Sequence, residues 1–366
     1  MTDKTVLVGL SGGVDSSVCA ALLKEQGYNV IGATMAIWGN REVKGAILSE
    51  NRKNACFGPH EKEDIESAEK IAKQLNIPFH VFDCAQQYNE IVLKYFKSEY
   101  IQGKTPNPCI WCNALIKFGV LPYIAKMNGV DFDYFATGHY ARIEKENGAY
   151  VLKRGKYSKK DQSYFLYRLT QEQLAKIKFP LGEYNKEEIR QIAKNYGLNS
   201  AKKPDSQDFY EGDYNELLNV EEKIGNIVDT DGKILGTHKG IWNYTTGQRK
   251  GIGIAANEAM YVLELKKDTN EVVIGPKDKT FKNILYADRL NVLSYGRFNS
   301  LNKIQNKVTA KIRSTQEPVD VSYEIIDNDS MKVTFADYQK SIATGQSVVL
   351  YDNDVVIAGG VIDRAE

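Results

Sequence analysis

Cysteine is scarce in this 366-residue chain: there are five, widely scattered. So sparse and odd a set cannot staple a small disulfide scaffold, and the fold must rest on hydrophobic cores. No stretch approaches the ~18 uninterrupted apolar residues of a membrane span, and no secretory core precedes the first strand. No membrane partner is expected, and a reducing cytoplasm is the expected compartment. Excess charge of one sign is also missing, since 48 Lys plus Arg stand against 47 Asp plus Glu, a net of +1. Bulk electrostatics therefore does not hold the chain on nucleic acid, although local patches stay open. Low-complexity segments and fixed-period repeats are absent, which removes solenoid architectures. What is there is ordinary globular material, 42% hydrophobic and 10% aromatic, in a length that suggests two or three domains.

Up to about residue 130, short β-branched runs alternate with helical patterns, the signature of a parallel α/β sheet. Val6–Leu10, Val30–Ile37, Phe79–Phe82 and Tyr134–Ala136 read as strands, with helices over Asp15–Gln26 and Glu61–Leu75. From about 150 to 203 the chain turns polar and helical, and Asn185 with Glu188 reads as an N-cap and its capping-box partner. After about 204, short strands and Gly- or Asp-rich turns dominate. The expected division is 1–203 for an α/β domain with a basic helical part from about 150, 204–276 for a small middle domain, and 277–366 for a β-barrel.

Between the first strand and the first helix stands Gly9-Leu10-Ser11-Gly12-Gly13-Val14-Asp15-Ser16. Glycines let the backbone approach an anion, successive N–H groups point at it, and the helix N-terminus adds the positive end of its dipole. A phosphate-sized site follows. No Lys follows the glycines, so this is not a Walker loop, and the spacing is not the dinucleotide fingerprint either.

The second informative stretch is Thr105-Pro106-Asn107-Pro108-Cys109-Ile110-Trp111-Cys112-Asn113-Ala114-Leu115-Ile116-Lys117-Phe118. Two prolines impose an extended approach to a helix, which puts Cys112 in a first helical turn. A thiol there is expected to have a depressed pKa and nucleophilic or redox character. The pair alone leaves open a structural zinc, with Cys56 and His60 as the remaining partners, two unreactive thiols, or sulfur chemistry.

The loop SGGVDSS resembles the PP-loop of ATP pyrophosphatases, which implies adenylyl transfer with pyrophosphate in the loop, Asp15 beside the Mg²⁺-pyrophosphate, and ATP contacts from residues 9–16, Met35 and Gly138. Together with the cysteine stretch the chain resembles tRNA 2-thiouridylases. The strings Ala136-Thr137-Gly138-His139, Lys160-Asp161-Gln162-Ser163, Lys203-Pro204-Asp205-Ser206-Gln207, Thr246-Gly247-Gln248 and Thr344-Gly345-Gln346-Ser347 fall in that family's order. The implied fold is α/β: a parallel-sheet PP-loop domain, adenine nucleotide alpha hydrolase-like, followed by a small middle domain and a C-terminal β-barrel. The implied reaction is ATP-dependent 2-thiolation of the wobble uridine of tRNA. The C2 oxygen is adenylated, then replaced by sulfur from a persulfide, with Cys112 as the catalytic cysteine and Asn107, Pro108 and Cys109 at the target base. The implied sulfur donor is a cysteine desulfurase or a relay protein. An amidating ligase of the PP-loop type and a noncatalytic tRNA-binding relative are the alternatives.

Two departures from the family matter. Cys109 stands where an acidic residue is usual. The second, persulfide-carrying cysteine that follows the Asp-Ser string is missing, with Tyr210, or Asp208 under a gapped match, in its place. The expectation is that Cys109 and Cys112 carry the sulfur together, either as a persulfide and resolving pair or as ligands of an iron–sulfur cluster with Cys56 or Asp208 as a third ligand.

Residues 151–203 hold 13 Lys plus Arg and five acidic side chains. Interleaved with Tyr157, Tyr164 and Tyr167, this stretch is expected to face folded RNA. The resemblance implies tRNA contacts at Lys160, Asp161 and Gln162, and at Arg313 and Ser314.

Overall fold

Strand β1 (Thr5–Gly9) reads TVLVG, apolar without alternation, because both of its faces are covered: Val6, Leu7 and Val8 are wholly buried. The structure is a computed structural model that describes residues 2–39, 55–202, 208–210, 212–302 and 308–366. The string Lys203–Gln207 lies outside the described residues. The chain divides into two compact units, the first comprising Met1–Val92, Cys109–Tyr214 and Asp354–Val356.

In that unit β1 leads to helix α1 (Val14–Glu25), strand β2 (Asn29–Ala36), strand β3 (Ala55–Phe57), helix α2 (Glu61–Gln74), strand β4 (Phe79–Asp83) and, further on, strand β5 (Tyr134–Ala136). One parallel sheet has the order β4-β2-β1-β5 and ends at the short strand Ile177–Lys178. Since β2 and β4 lie to one side of β1 and β5 to the other, the direction of winding reverses between β1 and β5. The carboxyl edge at such a reversal is where α/β sheets leave a crevice for ligands. The capping box is present as expected: Asn185 accepts from Glu188 N, and Glu188 reaches back to Asn185 N at 2.7 Å, opening the helix Lys186–Asn195.

The stretch expected to be helical from about 150 begins instead as a strand. Ala149–Arg154 pairs with Ala141–Glu146 in a hairpin turned at Asn147 and Gly148, both with positive φ. The Asn-Gly pair was the available signal, because a two-residue turn that follows strand twist needs positive φ at both positions.

The second unit is Leu93–Pro108, Asn215–Asn353 and Ile357–Glu366. It contains a four-stranded sheet between Gly225 and Gly275, cored by Ile227, Ile241, Val262, Val272 and Ile274. It also contains a closed barrel of six strands from Phe281 to Ala365, whose first and last strands pair with each other.

The helical run Pro108–Met127 is 20 residues long and apolar enough to cross a membrane by length and composition alone. It is not an uninterrupted apolar run, since Asn113, Lys117 and Lys126 break it. Its apolarity has a local cause, since Ile110, Ala114, Ile116, Phe118, Leu121 and Ala125 are buried core residues.

Candidate functional site

The loop after β1 folds on its glycines and serines. Gly12 adopts φ +71, and a Cβ there would come within 2.7 Å of Ser67 Cβ on α2. Ser16 Oγ donates to Gly13 O at 3.2 Å and accepts from Ser11 N at 3.2 Å, while Ser17 Oγ donates to Gly13 O at 2.7 Å. The N-cap of α1, Gly13, makes no side-chain capping hydrogen bond, so the helix's first N–H groups are left for an anion. Gly138, just past β5, packs on the start of α1: a Cβ would lie 2.7 Å from the Asp15 carbonyl carbon and 2.8 Å from Ser16 N. Any larger residue would push the loop and the strand end apart. Met35, near the end of β2, is half-buried on the same edge and pairs with Phe82.

Asp15 is held from the side. Lys186 Nζ lies 2.7 Å from Oδ1 and 2.9 Å from Oδ2, and the buried Tyr140 hydroxyl donates to Oδ1 at 2.7 Å. Neither Tyr140 nor Lys186 was singled out from sequence for this contact, because both lie more than a hundred residues from the loop.

Cys109 and Cys112 lie on the continuous helix that Pro108 opens, as Pro does at a first helical position. Cys112 is the fifth residue of that helix, not part of its first turn, and starts a π-helical segment, Cys112–Val120. The expected depression of its pKa is therefore corrected. Burial pushes the Cys112 thiol up to about 12, with Lys117 pulling the other way, and burial raises Cys109 as well. Lys117 lies five residues on in the same π-helical segment, and its charge acts on Cys112. Asn113 Nδ2 donates to Phe165 O at 3.3 Å, and Gln173 Nε2 donates to Ala114 O at 2.9 Å and Phe118 O at 3.1 Å, tying the π-helical segment to its neighbours.

Cys56 joins this pair through a two-stranded parallel sheet: β3 pairs with the strand Asp208–Tyr210, with Ala55 opposite Asp208 and Phe57 opposite Tyr210. Cys56 Sγ donates to Asp208 O at 3.9 Å, and its charge acts on both Cys109 and Cys112. Its thiol reaches solvent but sits deep enough in surrounding protein that burial raises its pKa. Helix α2 is the wall shared with the glycine-rich loop, since Ser67 and the Asp64 carbonyl face Gly12 while the Asp64 charge acts on Cys56. Cys19 and Cys84 are fully buried.

The three-ligand cluster expectation does not fit. Among the described residues no group of three or more His, Cys, Asp or Glu side chains is placed to hold a metal. The Asp208 carboxylate is already used, accepting from Phe209 N and the Tyr214 hydroxyl, each at 2.7 Å. Tyr210 is 2% exposed and stacked on Trp38, so nothing at that position reaches a substrate.

The basic stretch is less available than its charge suggests. Asp161 is buried and accepts from Gly155 N, Ser163 N, Ser163 Oγ and Arg154 Nε at 3.0–3.3 Å, so its side chain braces the loop and does not face RNA. Gln162 Oε1 accepts from Tyr140 N at 2.9 Å. Tyr164 and Tyr167 are wholly buried, Lys186 serves Asp15, and Lys153 pairs with Glu144 and Glu146. Lys156, Tyr157, Lys159, Lys176, Arg190 and Lys194 stay exposed, and Lys160 is half-buried. In the second unit Arg313 is exposed and donates to Lys340 O at 3.0 Å, Ser314 is half-buried, and Asn107 is half-buried beside the buried Pro108. The Thr344-Gly345-Gln346 string grips the chain before Asn107: Thr105 N donates to Thr344 O at 2.8 Å and Gln346 Nε2 donates to Thr105 O at 3.0 Å.

Known proteins match this chain along nearly its whole length. Residues 4–210 match the family model described as tRNA methyl transferase HUP domain, 217–276 its PRC-barrel domain, and 285–362 the aminomethyltransferase beta-barrel domain. The tRNA-specific 2-thiouridylase MnmA of Endomicrobium trichonymphae is 48% identical over 365 residues, covering 99% of each chain. The chain belongs to the tRNA-specific 2-thiouridylase family. The 2-thiouridylase of Caldicellulosiruptor saccharolyticus, at 44% over 370 residues, covers 99% of each chain too. In 2-thiouridylase terms the chain is a PP-loop domain, a PRC-barrel and a closed β-barrel, the architecture expected from sequence.

Proposed function

We propose that this chain is an ATP-dependent sulfurtransferase that converts a tRNA uridine, the wobble uridine, to 2-thiouridine. The observation that carries the reading is one shared wall. Helix α2 faces the uncapped N-terminus of α1 at Gly12 and stands within electrostatic reach of Cys56, beside Cys109 and Cys112. ATP chemistry and sulfur chemistry can thus act on one base.

A uracil C2 oxygen is a poor leaving group. Attack of that oxygen on the ATP α-phosphorus, with pyrophosphate held by the loop and the helix dipole, turns it into a phosphate ester. Sulfur then attacks C2 and AMP departs. Mg²⁺ enters as part of the MgATP substrate, which suits an Asp15 carboxylate already bonded to Lys186 and Tyr140. Cys112 takes part in the sulfur step, with Lys117 favouring its thiolate. Exposed basic groups such as Lys156 and Lys159, with Lys160 and Arg313, meet tRNA phosphates, and Asn107 to Cys109 meet the extruded base. The sulfur arrives as a persulfide from a cysteine desulfurase or a relay protein. All five cysteines are free thiols, which suits a reducing cytoplasm.

Pyrophosphate release tests the adenylation half. Purified chain with MgATP should release pyrophosphate only when unmodified tRNA is added, AMP should follow in equal amount only when a persulfide donor is also present, and Cys112→Ser should retain a first turnover of pyrophosphate. Release of ADP and phosphate, or turnover indifferent to tRNA, would refute the reading.

A further inference from the structure

We infer that Cys56 is the thiol that receives the incoming sulfur and carries it to the base, with Cys112 as the thiol that releases it; this rests on the thiolation reading above. Three observations place Cys56 in that role. It is the one exposed cysteine, whereas Cys109 and Cys112 are half-buried and Cys19 and Cys84 are sealed in the core. A donor protein must touch the thiol it loads. Its strand is fixed by pairing with Asp208–Tyr210, close enough to the other two cysteines for the Cys56 charge to act on both, and Phe57, stacked on Tyr88 at 5.0 Å and packed against Tyr210 and Trp38, anchors that strand from the core side. Side chains alternate along a strand, so burying Phe57 turns Cys56 outward. Finally, burial raises all three thiols and Lys117 pulls Cys56, Cys109 and Cys112 alike back toward the anion, so one cation serves the whole set.

The chemistry requires two thiols. The Cys56 thiolate attacks the terminal sulfur of the donor persulfide, forming Cys56–S–S⁻ and expelling the donor thiolate. The terminal sulfur attacks C2 of the adenylated uridine, the C2–O bond breaks and AMP leaves with its electron pair. Cys112 thiolate then attacks the Cys56 sulfur of the C2–S–S–Cys56 link, which releases 2-thiouridine and leaves a Cys56–Cys112 disulfide. The transferred sulfur is reduced by two electrons and the two thiols are oxidised by two. A cellular dithiol restores them by thiol–disulfide exchange.

A three-arm assay tests this with the full chain, MgATP and unmodified tRNA, using a cysteine desulfurase with cysteine as persulfide source. Wild type forms 2-thiouridine, and Cys56→Ser is expected to lose about 100-fold or more of that rate while keeping tRNA-dependent pyrophosphate release. Inorganic sulfide, already fully reduced, should restore product in both Cys56→Ser and Cys112→Ser. A single turnover of wild type without reductant should yield the Cys56–Cys112 disulfide by peptide mass spectrometry. A Cys56→Ser rate within twofold of wild type, a Cys109–Cys112 disulfide in its place, or stoichiometric iron and acid-labile sulfide in anaerobically purified wild type that Cys56→Ser lacks would each overturn the inference. Wild type that forms neither pyrophosphate nor 2-thiouridine would instead overturn the thiolation reading beneath it.

Discussion

The Lys186 ammonium lies 2.7 Å from the Asp15 carboxylate, joining the first turn of α1 to a helix 171 residues away in sequence. Lys186 is 8% exposed and Asp15 is otherwise held by the Tyr140 hydroxyl. Removing the ammonium while keeping the aliphatic stem, as in Lys186→Met, leaves the carboxylate without its counter-charge. The expected cost is about 2 kcal/mol in urea denaturation, below the ~3–5 of a fully buried pair because part of Asp15 meets solvent. A weaker affinity for ATP should accompany it, measured by equilibrium binding. Unchanged stability would mean that the pair is incidental.

Gly138 allows the end of β5 to touch the Asp15–Ser16 peptide. Gly138→Ala puts a methyl within 2.7 Å of backbone, where neither side can yield by a rotamer change. We expect about 1–3 kcal/mol of strain and an ATP affinity about tenfold lower. Calorimetric titration with a nonhydrolysable ATP analogue checks this, and an affinity within twofold of wild type would contradict it.

His139 gives stability a pH dependence. Burial, then Lys117, holds its imidazole well below the usual 6.5, and Thr137 Oγ1 lies 2.7 Å from Nδ1. As pH drops through about 6.5 the unfolded chain takes up this proton and the folded chain does not, so stability falls with falling pH, by up to about 1.4 kcal/mol per unit from this group. Comparing urea midpoints at pH 7.5 and 5.5 for wild type and His139→Phe should show a smaller pH effect in the variant; equal slopes would assign the effect elsewhere.

Lys160 and Asp161 are neighbours with different fates. Lys160→Ala should weaken tRNA binding, lower the salt slope of log affinity by about 1 and leave ATP affinity alone. Asp161→Ala should unfold the loop, because Arg154 and two backbone N–H groups lose their acceptor at a cost of about 3 kcal/mol. Filter binding across salt concentrations separates the two. An Asp161→Ala chain as stable as wild type but poor in tRNA binding would return Asp161 to the RNA-facing set.

What sequence made legible was local or repeated in type. The apolar TVLVG, the glycines after it and the Asn185–Glu188 box each carry their reason within a few residues, and β1, α1 and the helix cap form where expected. What escaped depends on distant pairing. No periodicity in Ala55–Phe57 announces a partner at Asp208–Tyr210, and a count of basic residues cannot tell that Lys186 turns inward or that Tyr164 and Tyr167 are core. Cys112 stands a full turn into its helix, not at the start that the string CNALIKF alone suggests, because the Pro108 ring already opens that helix.

The most direct test of the account is the nucleoside composition of tRNA after reaction with the purified chain, MgATP and a persulfide donor, read by liquid chromatography and mass spectrometry. The account predicts 2-thiouridine with wild type and its loss with Cys112→Ser, at equal protein stability. Undiminished 2-thiouridine from Cys112→Ser, or none from active, tRNA-binding wild type, would contradict it.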